Sequence, residues 1–106
     1  SHCFYKININ KDISKKYLNI SAKELLNKKK LKYFKKYISN YKDLSFIDEN
    51  LIVAIITPDK DIVSNADTLS PAYVVFDNYE IILKWNRSLR FALAVCTLKD
   101  NIKNEF

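Results

Sequence analysis

No glycine occurs anywhere in this chain of 106 residues. A globular sequence of that length ordinarily carries about seven. Phosphate-cradling loops, dinucleotide-binding turns and collagen-like repeats all need a residue without Cβ, so each is excluded. Turns that require positive φ must fall to Asn or Asp, and eleven asparagines supply them.

Hydrophobic residues make up 48% and aromatics 13% of the chain. That is enough apolar matter for the core of one small domain, or of one piece of a larger one, and it argues against disorder over most of the length. No apolar run reaches the ~18 residues that a membrane-spanning helix needs. The opening residues are polar and aromatic, so no secretory signal is expected there.

The net charge of +6 is unevenly spread. Residues 1–42 hold twelve lysines against Asp12 and Glu24, a balance of +10. Residues 43–106 hold six basic and ten acidic residues, a balance of −4. A basic half suits an acidic partner such as nucleic acid, anionic lipid or a carboxylated glycan. On charge alone, a solvated lysine-rich surface is the simpler explanation.

Cys3 and Cys96 are the only cysteines and His2 the only histidine. They make no zinc pattern, so no metal site is expected. Two unpaired thiols are expected, with a long-range disulfide as the alternative in an oxidising compartment. Asp59, Asp61, Asn65 and Asp67 imitate a calcium loop, but Val63, Ser64 and Ser70 stand at the fifth, sixth and twelfth positions, where such a loop needs an oxygen ligand, Gly and Glu. A polar connection is expected there. His2 and Cys3 beside a carboxylate make a poor basis for a nucleophilic triad.

The local pattern predicts an α+β fold. Residues 4–9 read as a strand with Tyr5, Ile7 and Ile9 on one face. Residues 51–57 hold a short continuous apolar run, Leu51 to Ile56, whose length and β-branching are those of a buried strand. Residues 72–76 form a third strand, entered through Pro71. Ser21 and Glu24 match a capping box, which predicts a helix near 21–40 with Leu25, Leu26, Phe34, Tyr37, Ile38 and Tyr41 on its apolar side, split in two if Lys28–Lys30 interrupt it. Asp77 and Asn78 can open a helix, Asn86–Ser88 interrupts it, and Ser88 can cap a second. In that second helix Phe91, Val95, Leu98 and Ile102 share one face. The expected architecture is a small, mostly antiparallel sheet flanked by helices. Residues 1–77 form a sheet-plus-helix unit and residues 78–106 the closing helices.

The stretch from Pro71 to Ile102 reads PAYVVFDNYEIILKWNRSLRFALAVCTLKDNI. It resembles the C-terminal end of lytic murein transglycosylases of the membrane-bound B type. There, a G-P-A-F-L-V-x-x-N-F strand and turn lead into I-L-x-[WY]-N-x-S-x-x-Y-A-L-A-V-G-x-L-A-D. The likeness is densest at Trp85-Asn86-Arg87-Ser88 and Phe91-Ala92-Leu93-Ala94-Val95. Upstream it is looser, through Phe4–Ile7, Leu31–Ile38 and Leu51–Pro58. The family's glycines are all replaced, Cys96 among the replacements. Phe34 stands for Trp, and Phe91 for a Tyr whose hydroxyl is lost.

The resemblance implies cleavage of peptidoglycan between N-acetylmuramic acid and N-acetylglucosamine, without a cofactor. One Glu serves as acid and then base, and the product is a 1,6-anhydro sugar. That Glu lies in an E-S-x-[FY]-G-like context, and none of Glu24, Glu49, Glu80 and Glu105 is followed by Ser. The chain is therefore expected to be a C-terminal portion without the catalytic acid. Its closing helices would pack on an upstream catalytic core. It would sit in the periplasm or cell envelope of a bacterium and hold glycan strands. Trp85, Asn86 and Phe91 are the expected substrate-binding residues. An indole stacks on the CH face of a pyranose, and an amide both donates to and accepts from sugar groups. The competing explanation makes Trp85 and Phe91 core aromatics and Asn86 a helix breaker.

Two other functions fit the residues. A basic helix bearing Tyr33, Phe34, Tyr37 and Tyr41 could serve a non-catalytic module for nucleic acid or anionic glycan. A purely structural or protein-interaction domain would instead show an apolar surface patch of several hundred Å².

Overall fold

A computed structural model describes residues 3–19, 25–58, 71–86 and 88–105. The capping box at 21–24 and the acidic connection at 59–70 lie outside them. Four strands form an antiparallel sheet: β1 (Phe4–Ile7), β2 (Lys29–Lys30), β3 (Ile52–Ile56) and β4 (Ala72–Val75), in the order β1-β4-β3-β2. Two helices close the chain, α1 (Asp77–Asn86) and α2 (Leu89–Glu105). The small antiparallel α+β fold is as the sequence predicts.

Both faces of the sheet are covered, which accounts for the unbroken apolar run in β3. Strand alternation divides the side chains between two cores. On one face Ile7, Val53, Ile55, Ala72 and Val74 pack under Tyr17, Leu18, Leu31, Phe34 and Ile38, with Tyr5 and Ile9 against them. On the other face Ala54, Ile56 and Val75 pack under Tyr79, Leu83, Leu89, Ala92 and Cys96. Tyr5, Ile7 and Ile9 share a core, as their spacing predicts.

The helix expected near 21–40 is replaced over its described residues. Residues 25–28 are irregular, Lys29–Lys30 pair with Ile52 and Val53, and Leu31–Tyr37 forms a 3₁₀ turn. Two features account for this. Asn27 adopts φ 58°, in the left-handed region, which ends any α-helix. Leu31, Phe34 and Tyr37 recur every third residue, the period at which a 3₁₀ helix stacks its side chains. Leu31 and Phe34 are fully buried. Seven residues is long for this helix type, so packing has to hold it. Ile38 then bridges to Ile9, and the Asn10 N–H donates to the Tyr37 carbonyl at 2.9 Å.

Positive φ falls on asparagine, as the lack of glycine requires. Asn19, at φ 48°, links three segments. Its side-chain oxygen accepts from the Leu26 N–H at 2.9 Å, and its amide donates to the carbonyls of Ile55 at 2.9 Å and Leu26 at 3.1 Å.

Cys3 and Cys96 form a disulfide, so the expectation of free thiols is corrected. The bond ties the start of β1 to α2, with Cα atoms 6.0 Å apart, a spacing ordinary for a disulfide. Strand packing brings the two residues together across 93 positions, a proximity that no local pattern encodes.

Candidate functional site

The corner between α1 and α2 is built from short-range signals. The Phe76 carbonyl accepts the N–H groups of Tyr79 at 3.0 Å and Glu80 at 3.2 Å, opening α1. Asp77 and Glu80 place negative charge at the positive end of the helix dipole. Ser88 acts as the expected cap of α2, its Oγ accepting the Phe91 N–H at 3.3 Å. The Tyr79 hydroxyl, fully buried, donates to the Leu89 carbonyl at 2.8 Å and joins the two helices. Burial holds that phenol well above its ordinary pKa.

Trp85 lies in the last turn of α1 and is 84% exposed. The core explanation for this residue therefore fails. Ile81, four residues earlier and on the same helix face, is also exposed. Phe91 is 53% and Leu98 62% exposed. The buried face of α2 is instead Leu89, Ala92 and Cys96; of the predicted stripe Phe91 and Leu98 are exposed and Val95 is half-buried, while the side chain of Ile102 lies outside the described set. Small Ala92 and Cys96 fit under the sheet where Phe91 would not, and the disulfide fixes that rotation. Asn86 is the last residue of α1; its side chain lies outside the described set, as does the whole of Arg87.

The carboxylate nearest this corner in sequence is Glu80. Both its oxygens accept from the Lys28 ammonium, at 2.9 and 3.0 Å. This pair tethers the β2 edge to α1 and commits the carboxylate to a lysine. Among the described residues, no group of three or more His, Cys, Asp or Glu side chains could hold a metal. No described helix is long and apolar enough to cross a membrane.

Across the sheet from α1 and α2 lies the second candidate, the lysine–tyrosine face. Phe34 is in the core and cannot take part in surface binding. Tyr33 is exposed, while Tyr37 and Tyr41 are half-buried. The hydroxyls of Tyr33 and Tyr17 share a hydrogen bond of 2.9 Å, and their rings meet edge-on at 5.7 Å. Lysine ammonium groups sit over the rings of Tyr17 (Lys16, 5.2 Å), Tyr33 (Lys29, 5.5 Å), Tyr41 (Lys35, 5.7 Å) and Tyr37 (Lys36, 5.0 Å). The bond from Tyr17 moves the Tyr33 phenol below its ordinary pKa; burial opposes the shift, while Lys29, Lys16 and Lys36 add to it. Tyr17 moves the other way, through the same bond and then burial. Sequence reading missed Tyr17, because the segment carrying it joins this face only through tertiary packing.

Comparison of the chain with family models, with curated proteins and with solved structures finds no match.

Proposed function

We propose that this chain is a glycan-contacting C-terminal portion of a peptidoglycan lytic transglycosylase. The observation that carries the reading is the exposure of Trp85 at the α1–α2 corner. An exposed indole at the end of a helix, with exposed Ile81 on the same face, offers apolar surface that a partner can cover. A pyranose CH face is suitable cover, and the neighbouring Asn86 has the amide chemistry to meet hydroxyl or N-acetyl groups. Phe91 adds apolar surface without a hydrogen bond. The likeness of Trp85–Ser88 and Phe91–Val95 to the transglycosylase pattern supports the same assignment.

Chemistry of this class needs a carboxyl that holds its proton near neutral pH inside a closed cleft. Glu80, joined to Lys28, is a poor candidate for that work. The acid would come from an upstream core, while this chain supplies the sheet and a wall of the glycan groove. Periplasmic or cell-envelope placement in a bacterium belongs to the same proposal. The disulfide supports an oxidising compartment.

Incubation with purified sacculi followed by mass spectrometry tests the division of labour. The chain alone should be retained on sacculi and release no 1,6-anhydromuropeptides. Their release would place the catalytic acid within this chain and overturn that part of the proposal.

A further inference from the structure

The lysine–tyrosine face carries an inference of its own, independent of the Trp85 reading. Residues 25–42 contain seven lysines and no acidic residue. Lys28 is engaged by Glu80; Lys29, Lys30, Lys32, Lys35, Lys36 and Lys42 lie exposed along the β2 edge and the turns that follow. Lys16 sits over the Tyr17 ring and Lys29 over the Tyr33 ring, and Lys36 lies over the ring of Tyr37 at the end of the same 3₁₀ turn as Tyr33. In a hydroxyl pair one proton is used between the oxygens and the second remains available to an outside acceptor. Tyr33, the more exposed partner, is placed to offer it.

We propose that Tyr33, Lys16, Lys29 and Lys36 form an oxyanion site at the head of a lysine track, which holds successive carboxylate or phosphate groups of a linear polyanion. Ammonium groups are point charges that suit either anion. The same geometry disfavours nucleobase stacking. Lysines cap the rings of Tyr17, Tyr33, Tyr37 and Tyr41, and Tyr33 meets Phe34 edge-on at 5.5 Å. The partner is therefore read by charge and by one hydroxyl, and bases add nothing.

The test is titration of the folded chain with three probes of matched charge: poly-L-glutamate, linear polyphosphate and oligodeoxythymidylate. Amide NMR shifts and binding isotherms are recorded at two salt concentrations. Saturable shifts centred on residues 16, 29, 33 and 36 are expected, weakening steeply with salt. The two base-free probes distinguish a carboxylate source from a phosphate source. The triple variant K16Q/K29Q/K36Q should lose about tenfold in affinity. The control K6Q/K11Q/K84Q removes the same charge elsewhere and should lose less than twofold. Y33F keeps the ring and its lysine and should lose about twofold to threefold. Equal losses in the two triple variants would mean diffuse attraction without a site and would overturn the proposal. So would oligodeoxythymidylate binding about tenfold more tightly than polyphosphate, since the bases would then be stacking.

Discussion

The Tyr79 hydroxyl reaches the Leu89 carbonyl across the break between the two closing helices, at 2.8 Å and out of contact with water. This bond ties α1 to α2 at the corner that carries Trp85. Tyr79→Phe keeps the ring and removes one buried hydrogen bond to a carbonyl at the start of α2, a loss of about 1 kcal/mol. Urea unfolding measures it. An unchanged midpoint would show that the corner is held by packing alone.

The same residue makes the fold sensitive to high pH. Its phenol is raised in the folded state by burial. The unfolded chain therefore gives up that proton first, near the ordinary phenol value of 10.0. Stability contributed by the neutral phenol is complete below that pH and is lost as pH rises above it. Tyr17 acts in the same direction and Tyr33 in the opposite one. Unfolding midpoints across pH 9 to ~11 should fall for the native chain. They should fall less for Tyr79→Phe. Parallel curves for the two proteins would contradict the assignment.

Much of this architecture was legible residue by residue. The apolar runs at 51–57 and 72–76, the cap at Ser88 and the use of asparagine at positive φ are local effects, written in adjacent side chains. Three features were not. The spacing of Leu31, Phe34 and Tyr37 is compatible with either helix type, and packing selected the tighter one. In α2, Phe91, Val95 and Leu98 form the more hydrophobic stripe, yet the sheet accepts the face with Ala92 and Cys96, because close approach requires small side chains. The Tyr17–Tyr33 and Cys3–Cys96 pairs join positions that only the folded chain brings together. At the candidate corner, Trp85 could be singled out from sequence, but its exposure could not.

The disulfide closes a loop spanning 93 positions. Loops of that length stabilise by about 4–5 kcal/mol through restriction of the unfolded chain. Cys3→Ser/Cys96→Ser, or reduction under denaturant, should lower the unfolding free energy by roughly 2–5 kcal/mol. A loss below ~0.5 kcal/mol would mean that the crosslink contributes little to holding α2 on the sheet.

Asn19 combines a left-handed backbone with hydrogen bonds to Leu26 and Ile55. Asn19→Gly keeps the backbone freedom and removes the bonds; Asn19→Ala removes both. Each should destabilise the domain, and Ala should cost about 1 kcal/mol more than Gly. Equal losses would assign the whole effect to the side chain.

Trp85 is the only tryptophan in the chain, so intrinsic fluorescence reports on the proposed glycan contact alone. Free in water, the indole should emit at long wavelength and be quenched fully by acrylamide. Titration with a soluble oligosaccharide of alternating N-acetylglucosamine and N-acetylmuramic acid should give a saturable blue shift and protection from quenching. An emission spectrum and quenching constant that stay unchanged up to millimolar oligosaccharide would contradict the assignment of this corner to glycan.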